Sequence, residues 1–430
     1  MGPRLRALWF TALLASGCDP SAFDPRAWPD AGRASDAEPF PQTDAALARD
    51  ADIDATSGAS DLDAGSPDAG DASGSADAGD ATGPVDPCVR ADQRLAVTKP
   101  AVELARLATS PLFESRTLGP TIRLGDSDHV WTFSGTRRVD SVPAASAAPA
   151  NHPYVAFDGK FQPWNAASTA KPAAWSLREP ASDAGTALPP TLLPLRSGEG
   201  NLVSLVPSSF VRLPDEPRGL LFITHYDTLT QSKVWLARLE DGATQATRAT
   251  TPLFSAGPLF ALAARVDGEY VILYACTPAN GTNPTRCVAG RVPTAMVDQA
   301  DAYQVRTTNA AGAGSWSSDL SSGTTVLENV NNDLTISYNG YLRRYVAVYG
   351  EPSSNQVLLR TAAQPYGPWS EPVRVALPAP SALNNGGIRE HPSLAQNCER
   401  RLVISYFAPT RAEGFFPLVG DAVLAAIDLD

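Results

Sequence analysis

The sequence predicts an all-β fold, a five-bladed β-propeller, and three observations carry that reading. Short apolar runs bounded by Gly, Pro, Asn or Asp recur over residues 116–430, and long helical periodicity is missing. A loose unit repeats among them: an apolar first strand, a turn, a second strand ending in an aromatic, a variable loop and a third strand. Its copies centre on residues 129–133, 220–226, 270–275, 345–349 and 402–406, about five units in all. A decorated β-sandwich accounts for the strand spacing as well and stands as the alternative. Few strands follow residue 406, so a segment within residues 91–123 is expected to complete the last sheet and bring the two ends together.

Two segments precede that domain. In residues 1–18, Arg4 and Arg6 are followed by a short apolar run from Ala7 to Ala15, too short to span a bilayer and laid out like a cleaved signal peptide. It ends in Leu14-Ala15-Ser16-Gly17-Cys18, which resembles the lipobox of bacterial lipoproteins, with Ala15 where Leu is commoner. The resemblance implies that Cys18 is lipidated and that the peptide is cut just before it. Residues 19–87 hold sixteen acidic and three basic residues among Ala, Gly, Ser and Pro. Such a stretch has too little apolar surface to offset the entropy of ordering, and it reads as a disordered tether. The tether accounts for the net charge of −12, which leaves residues 88–430 close to neutral. A neutral domain lacks the basic footprint of a nucleic-acid binder.

The cysteines fit an oxidising compartment. With Cys18 set aside, four remain. Cys276 ends the run Tyr270-Val271-Ile272-Leu273-Tyr274-Ala275, and Cys287 opens Cys287-Val288-Ala289-Gly290, with a Pro- and Asn-rich turn between them. One cysteine on each arm of a hairpin makes Cys276–Cys287 the natural bridge, and Cys88–Cys398 follows by elimination. That second bridge would staple the closure of the domain. There is no Cys-x-x-Cys of the kind zinc sites use.

Three stretches carry a family resemblance. They are Tyr345-Val346-Ala347-Val348-Tyr349 with Val357-Leu358-Leu359-Arg360-Thr361, then Gly367-Pro368-Trp369-Ser370, then Glu390-His391-Pro392-Ser393-Leu394. Together they resemble a bacterial domain-of-unknown-function family over about residues 116–430, most clearly after Phe254. The resemblance implies a five-bladed propeller akin to arabinanases and sialidase-like glycosidases, and some members of the family are endo-D-arabinanases. Its ligand face lies where inner strands begin and second strands end.

Glycoside hydrolysis needs two carboxyl groups flanking the bond. The acids at those places are Asp333, Glu390 and Asp227, with Asp333 and Glu390 leading because inner-strand starts lie nearest the axis. Glu351, His391, Thr136 and Thr117 complete the expected ligand face. His391 is read as orienting a carboxylate or ligating a cation or water. Each acid also has a plain reading as a turn residue, and His391 one as a buried core histidine. The first repeat departs from the family: Thr117-Leu118-Gly119 stands where members resemble Asp-Leu-Gly, and Phe133-Ser134-Gly135-Thr136 where they resemble Phe-Gly-Asp-Thr, so both aspartates are replaced, and without those acids the propeller could bind glycan and not cut it. Trp131, Trp164, Trp235, Trp316 and Trp369 supply stacking surfaces or blade core.

No Gly-x-Ser-x-Gly, P-loop, dinucleotide fingerprint or His-Glu-x-x-His is present. Two readings remain: an arabinanase-like glycoside hydrolase acting on an envelope polysaccharide, or a catalytically silent propeller binding glycan or protein. Neither requires a cofactor, and the sequence lends no support to a central metal ion. The expected setting is the cell envelope, as a lipid-anchored monomer. Cys18→Ser is expected to leave the chain unprocessed or released from membranes; unchanged processing and detergent-phase partitioning would refute the anchor.

Overall fold

The structure is a computed structural model that describes residues 88–430 except 91, 108–112, 125–128, 139–153, 158–176, 179–189, 200–202, 215, 228–229, 278–284, 310–311, 332, 353, 379–380, 382–384 and 413–417. The signal-like segment with Cys18, the acidic tether and Trp164 therefore lie outside the described residues. So do the side chains of Thr136 and Asp227, whose backbone lies in strands.

The described chain is strand from end to end, with a few 3-10 turns. β1 (Val102–Arg106) opens it. β2 (Phe113–Arg123), β3 (His129–Arg138) and β4 (Tyr154–Phe157) make one sheet. β5 (Val203–Arg212), β6 (Gly219–Asp227), β7 (Thr230–Leu239) and β8 (Thr247–Arg248) make the next. β9 (Ala263–Asp267), β10 (Tyr270–Thr277), β11 (Arg286–Pro293), β12 (Gln304–Thr308) and β13 (Gly314–Ser317) follow in order, with β14 (Thr325–Glu328) added against β11. A fourth sheet holds β15 (Leu334–Asn339), β16 (Arg344–Gly350), β17 (Gln356–Ala362) and β18 (Val373–Ala376). The last runs β19 (Gly386–Glu390), β20 (Arg401–Ala412), β21 (Leu418–Asp428) and then β1, so the N-terminal strand is its outer edge. All pairings are antiparallel, and each of the five repeated runs read from the sequence is the second strand of its sheet.

These second strands are apolar without alternation because both of their faces are covered. In β16, Val346 and Val348 pack toward the β19–β21 sheet, while Ala347 and Tyr349 pack toward the β9–β11 sheet. In β10, Val271 and Leu273 face the β5–β7 sheet, while Ile272 and Tyr274 face β15 and β16. β6 divides likewise between Leu220 with Phe222 and Leu221 with Ile223. Val403 and Leu424 join Trp131 and Phe133 in the layer between the last sheet and the first. The core is thus a set of layers, one between each pair of neighbouring sheets, at about 1.5–3 kcal/mol per fully buried large aliphatic side chain. The first strands β2, β5, β9, β15 and β19 touch in that order, and β19 touches β2. The fold is an all-β propeller.

Closure joins the two ends. β1 pairs with β21, with Val102 opposite Ala426 and Arg106 opposite Val423, around a bulge at Leu104. The backbone N–H of Asp430 donates to Ala96 O at 3.0 Å, and that of Arg90 to Tyr341 O at 2.8 Å. Cys88 is bonded to Cys398 across 310 positions of sequence. Cys276 and Cys287, 11 positions apart, are bonded between directly opposed residues of β10 and β11.

In the chain-entropy account, a bridge that closes a longer loop removes more freedom from the unfolded chain. Replacing Cys88 and Cys398 by Ala is therefore expected to lower the unfolding free energy roughly twice as much as replacing Cys276 and Cys287, and to raise amide exchange first in β1. Equal losses in denaturant titrations, with β1 still protected, would contradict this.

Candidate functional site

The inner strands run side by side along the axis and enclose a cavity of about 260 Å³. All five contribute to its wall, among them Thr121 of β2, Ser208 and Ser209 of β5, Arg265 of β9, Thr335 of β15 and Glu390 of β19. Ser208-Ser209 lies between the apolar stretches 205–207 and 210–211 of β5 and coincides with a bulge between Pro207 and Ser209 in the β5–β6 pairing. The bulge inserts an unpaired residue and turns polar side chains inward.

Asp333 lies immediately before β15. Its carboxylate accepts from Arg389 Nη2 at 2.6 Å, and Arg389 Nη1 donates to the Ser208 carbonyl at 2.8 Å. The backbone N–H of Gly387 also donates to Asp333. Gly387 has φ +63°, and a Cβ there would fall 2.9 Å from the Thr117 methyl carbon, so both backbone and space demand glycine. Burial pushes the Asp333 carboxyl upward against the pull of Arg389 and Gly387. Burial, reinforced by Asp333, pushes the Tyr226 hydroxyl up to about 12. An arginine thus holds the carboxylate nearest the start of β15.

Glu390 sits further along the axis. It accepts from Ser337 Oγ at 2.8 Å, and its backbone N–H donates to Thr335 Oγ1 at 3.2 Å. Burial pushes its carboxyl up to about 7; Ser337 and Arg265 oppose that shift and Glu399 adds to it. A carboxyl of that kind holds a proton near neutrality and has the acidity of a general acid.

His391 is fully buried, 0 % exposed, with its ring 4.9 Å from that of Trp131 and its Nδ1 2.9 Å from Thr121 Oγ1. Burial, Arg389 and His129 drive its pKa down to about 3, so it is neutral. Its polar ring contact is the Thr121 hydroxyl; the expectation was that it orients a carboxylate or ligates a cation or water. The described residues contain no group of three or more His, Cys, Asp and Glu that could hold a metal ion.

The sequence-predicted residues divide as follows. Thr117, Asp333, Glu390 and His391 converge on β2, β15 and β19 around the axis. Glu390, however, ends β19 and does not begin an inner strand: Asn384-Asn385-Gly386-Gly387 reads as a turn, yet the two glycines open the strand. Glu351 follows β16 and faces outward, accepting from Arg374 Nε of β18 at 2.9 Å and from Ser354 Oγ at 3.0 Å. Asp227 is the last residue of β6, and Thr136 lies within β3 opposite Arg116. Of the tryptophans, Trp131 and Trp235 are buried core. Sequence reasoning missed Arg389, Arg265 and the Ser208–Ser209 pair; the detectable signal was a polar pair interrupting an apolar strand.

The profile of a family described as domain of unknown function (DUF4185) matches residues 218–404, from β6 into β20. No curated protein matches. Among solved structures, the chain is similar to an N-acetylgalactosamine deacetylase from F. plautii, solved with blood group B trisaccharide, at 8% identity and a TM-score of 0.46, over 78% of this chain and 95% of that one. It is similar to a GH43_1 enzyme from Xanthomonas citri at 12% identity and 0.44, over 76% and 90%. A family 117 glycoside hydrolase from Zobellia galactanivorans stands at 11% and 0.45, over 77% and 89%.

The raised carboxyl of Glu390 has a definite consequence for stability. Its contribution is complete below the ordinary value of 4.5 and is lost as pH rises through about 7. Glu390→Gln is therefore expected to flatten the fall in unfolding free energy between pH 4.5 and 7 and to be the more stable protein at alkaline pH. Parallel stability–pH curves for the two proteins would refute this.

Proposed function

We propose that the chain is an exported, lipid-anchored envelope protein whose five-bladed propeller binds a glycan in its axial cavity without cleaving it. The observation that carries this is the carboxyl inventory of the cavity. Among the described residues Glu390 is the one acid in the wall, and Asp333 is held by Arg389. Hydrolysis of a glycosidic bond needs a second carboxyl group across from the first, and neither of the two first-blade aspartates of the resembled family is present here. A wall of Ser, Thr and Arg donors suits the hydroxyl and ring oxygens of a sugar.

In this reading each sheet is one blade, residues 1–18 are the signal, residues 19–87 the tether and residues 88–430 the propeller. Two disulfides fit export into an oxidising compartment. The charged tether would hold the domain away from an anionic bilayer. A second reading, an arabinanase-like hydrolase with Glu390 as acid, Asp333 as base and Asp227 in reserve, is favoured by the proton that Glu390 keeps near neutral pH.

A panel of envelope polysaccharides, arabinan among them, separates the two. The full chain is expected to be retained by at least one polymer and to release no reducing ends. Release that disappears in Glu390→Gln with melting unchanged would establish the hydrolase, and neither retention by nor release from any polymer would overturn both readings.

A further inference from the structure

The cavity wall is unbalanced in charge. Among the described residues, Arg212, Arg265 and Arg389 contribute to it, and Glu390 is the one acid. Asp333 answers only the Nη2 of Arg389; the Nε of that residue, which is 4% exposed, is buried without a partner. Arg265 lies over the Tyr345 ring at 5.3 Å, and its Nε is likewise buried and unpartnered. The hydroxyl of Ser209, a residue 5% exposed, is a third buried polar atom in the wall with no partner. Arg212 donates to the Leu124 carbonyl at 3.0 Å.

The three unpartnered atoms can all donate, so what these positions lack is acceptors. Buried donors are ordinarily satisfied, and guanidinium groups pair best with planar, bidentate anions such as carboxylates. The volume is just under the ~300 Å³ at which ordinary ligand pockets begin, which suits one or two sugar rings. Glu390, bonded to Ser337 and opposed by Arg265, can meet an incoming carboxylate as a neutral acid.

We propose that the axial cavity takes a uronate, a sugar ring bearing a carboxylate, which is received by Arg265, Arg389 and Ser209. The inference rests on the glycan-binding reading and specifies its ligand class. A uronate supplies the missing acceptors in one planar, singly charged group, and its ring hydroxyls meet Thr121 and Thr335. Affinity then weakens with ionic strength, because part of the attraction is screened.

The test compares sugars that differ only at C6, titrated into the full chain: D-glucuronate and D-galacturonate, D-glucose and D-galactose, and D-glucose 6-phosphate. One uronate is expected to bind at least tenfold more tightly than its neutral counterpart and more tightly than the phosphate. Arg265→Gln and Ser209→Ala, with unchanged circular dichroism and melting, are each expected to reduce that preference. Arg389 is left intact because its ion pair with Asp333 supports the fold. Equal affinity for charged and neutral sugars overturns the inference and leaves glycan binding standing. A preference that survives both substitutions, or tighter binding of the phosphate, overturns the assignment of the site. Uronate binding by a chain that no polysaccharide retains supports the site and removes the polymer reading.

Discussion

The second strands β6, β10, β16 and β20 are apolar on both faces, and that constraint organises the rest. A strand such as β16, with Val346 and Val348 on one side and Ala347 and Tyr349 on the other, cannot be left against water on either face. Each sheet therefore needs two neighbours, and a row of such sheets ends with two uncovered faces unless it bends into a ring. Bending brings the first strands together, and closure brings β1 onto β21 beside the Cys88–Cys398 bond. The polar axis follows from this: inner strands converge where hydrophobic packing is finished, and their serines, threonines and arginines meet there.

How the sequence signals divide follows from the same constraint. The second strands were legible because burial on both faces produces unbroken apolar runs, and the hairpin of Cys276 and Cys287 because cysteines flank a turn-rich stretch. The completion of the last sheet by an N-terminal segment was legible from the shortage of strands after residue 406. The extent of β19 was not, since Asn384-Asn385-Gly386-Gly387 has turn chemistry and only the tertiary contact with Thr117 explains why glycines lie in a strand. Nor was Arg389 legible: nothing local distinguishes an arginine that reaches Asp333 from one that reaches solvent, because the two meet only once the ring has closed. Glu351 shows the converse, a position expected at the ligand face whose side chain turns outward to Arg374.

Asp333 and Glu390 show how one axis holds two carboxyl groups in different states. An arginine and a backbone N–H attend the first; the second has a serine hydroxyl and a buried setting that favours its proton. Removing one partner of the Asp333–Arg389 pair would strand a buried charge, at about 3–5 kcal/mol. The pair is thus part of the scaffold, while Glu390 borders the cavity.

The pairing of β1 with β21 also sets the order of events during synthesis. β1 is made first among the described strands, and its partner last. Until residues 418–428 have been delivered, the sheet that carries Glu390 and His391 lacks its outer half, and the face of β20 that covers Trp131 has no Leu424 beside it. The earlier sheets can assemble as they emerge, but the axis cannot. A chain cut short by even its last dozen residues would have most of its strands and no finished centre, so the axial cavity exists only once the whole chain has been made.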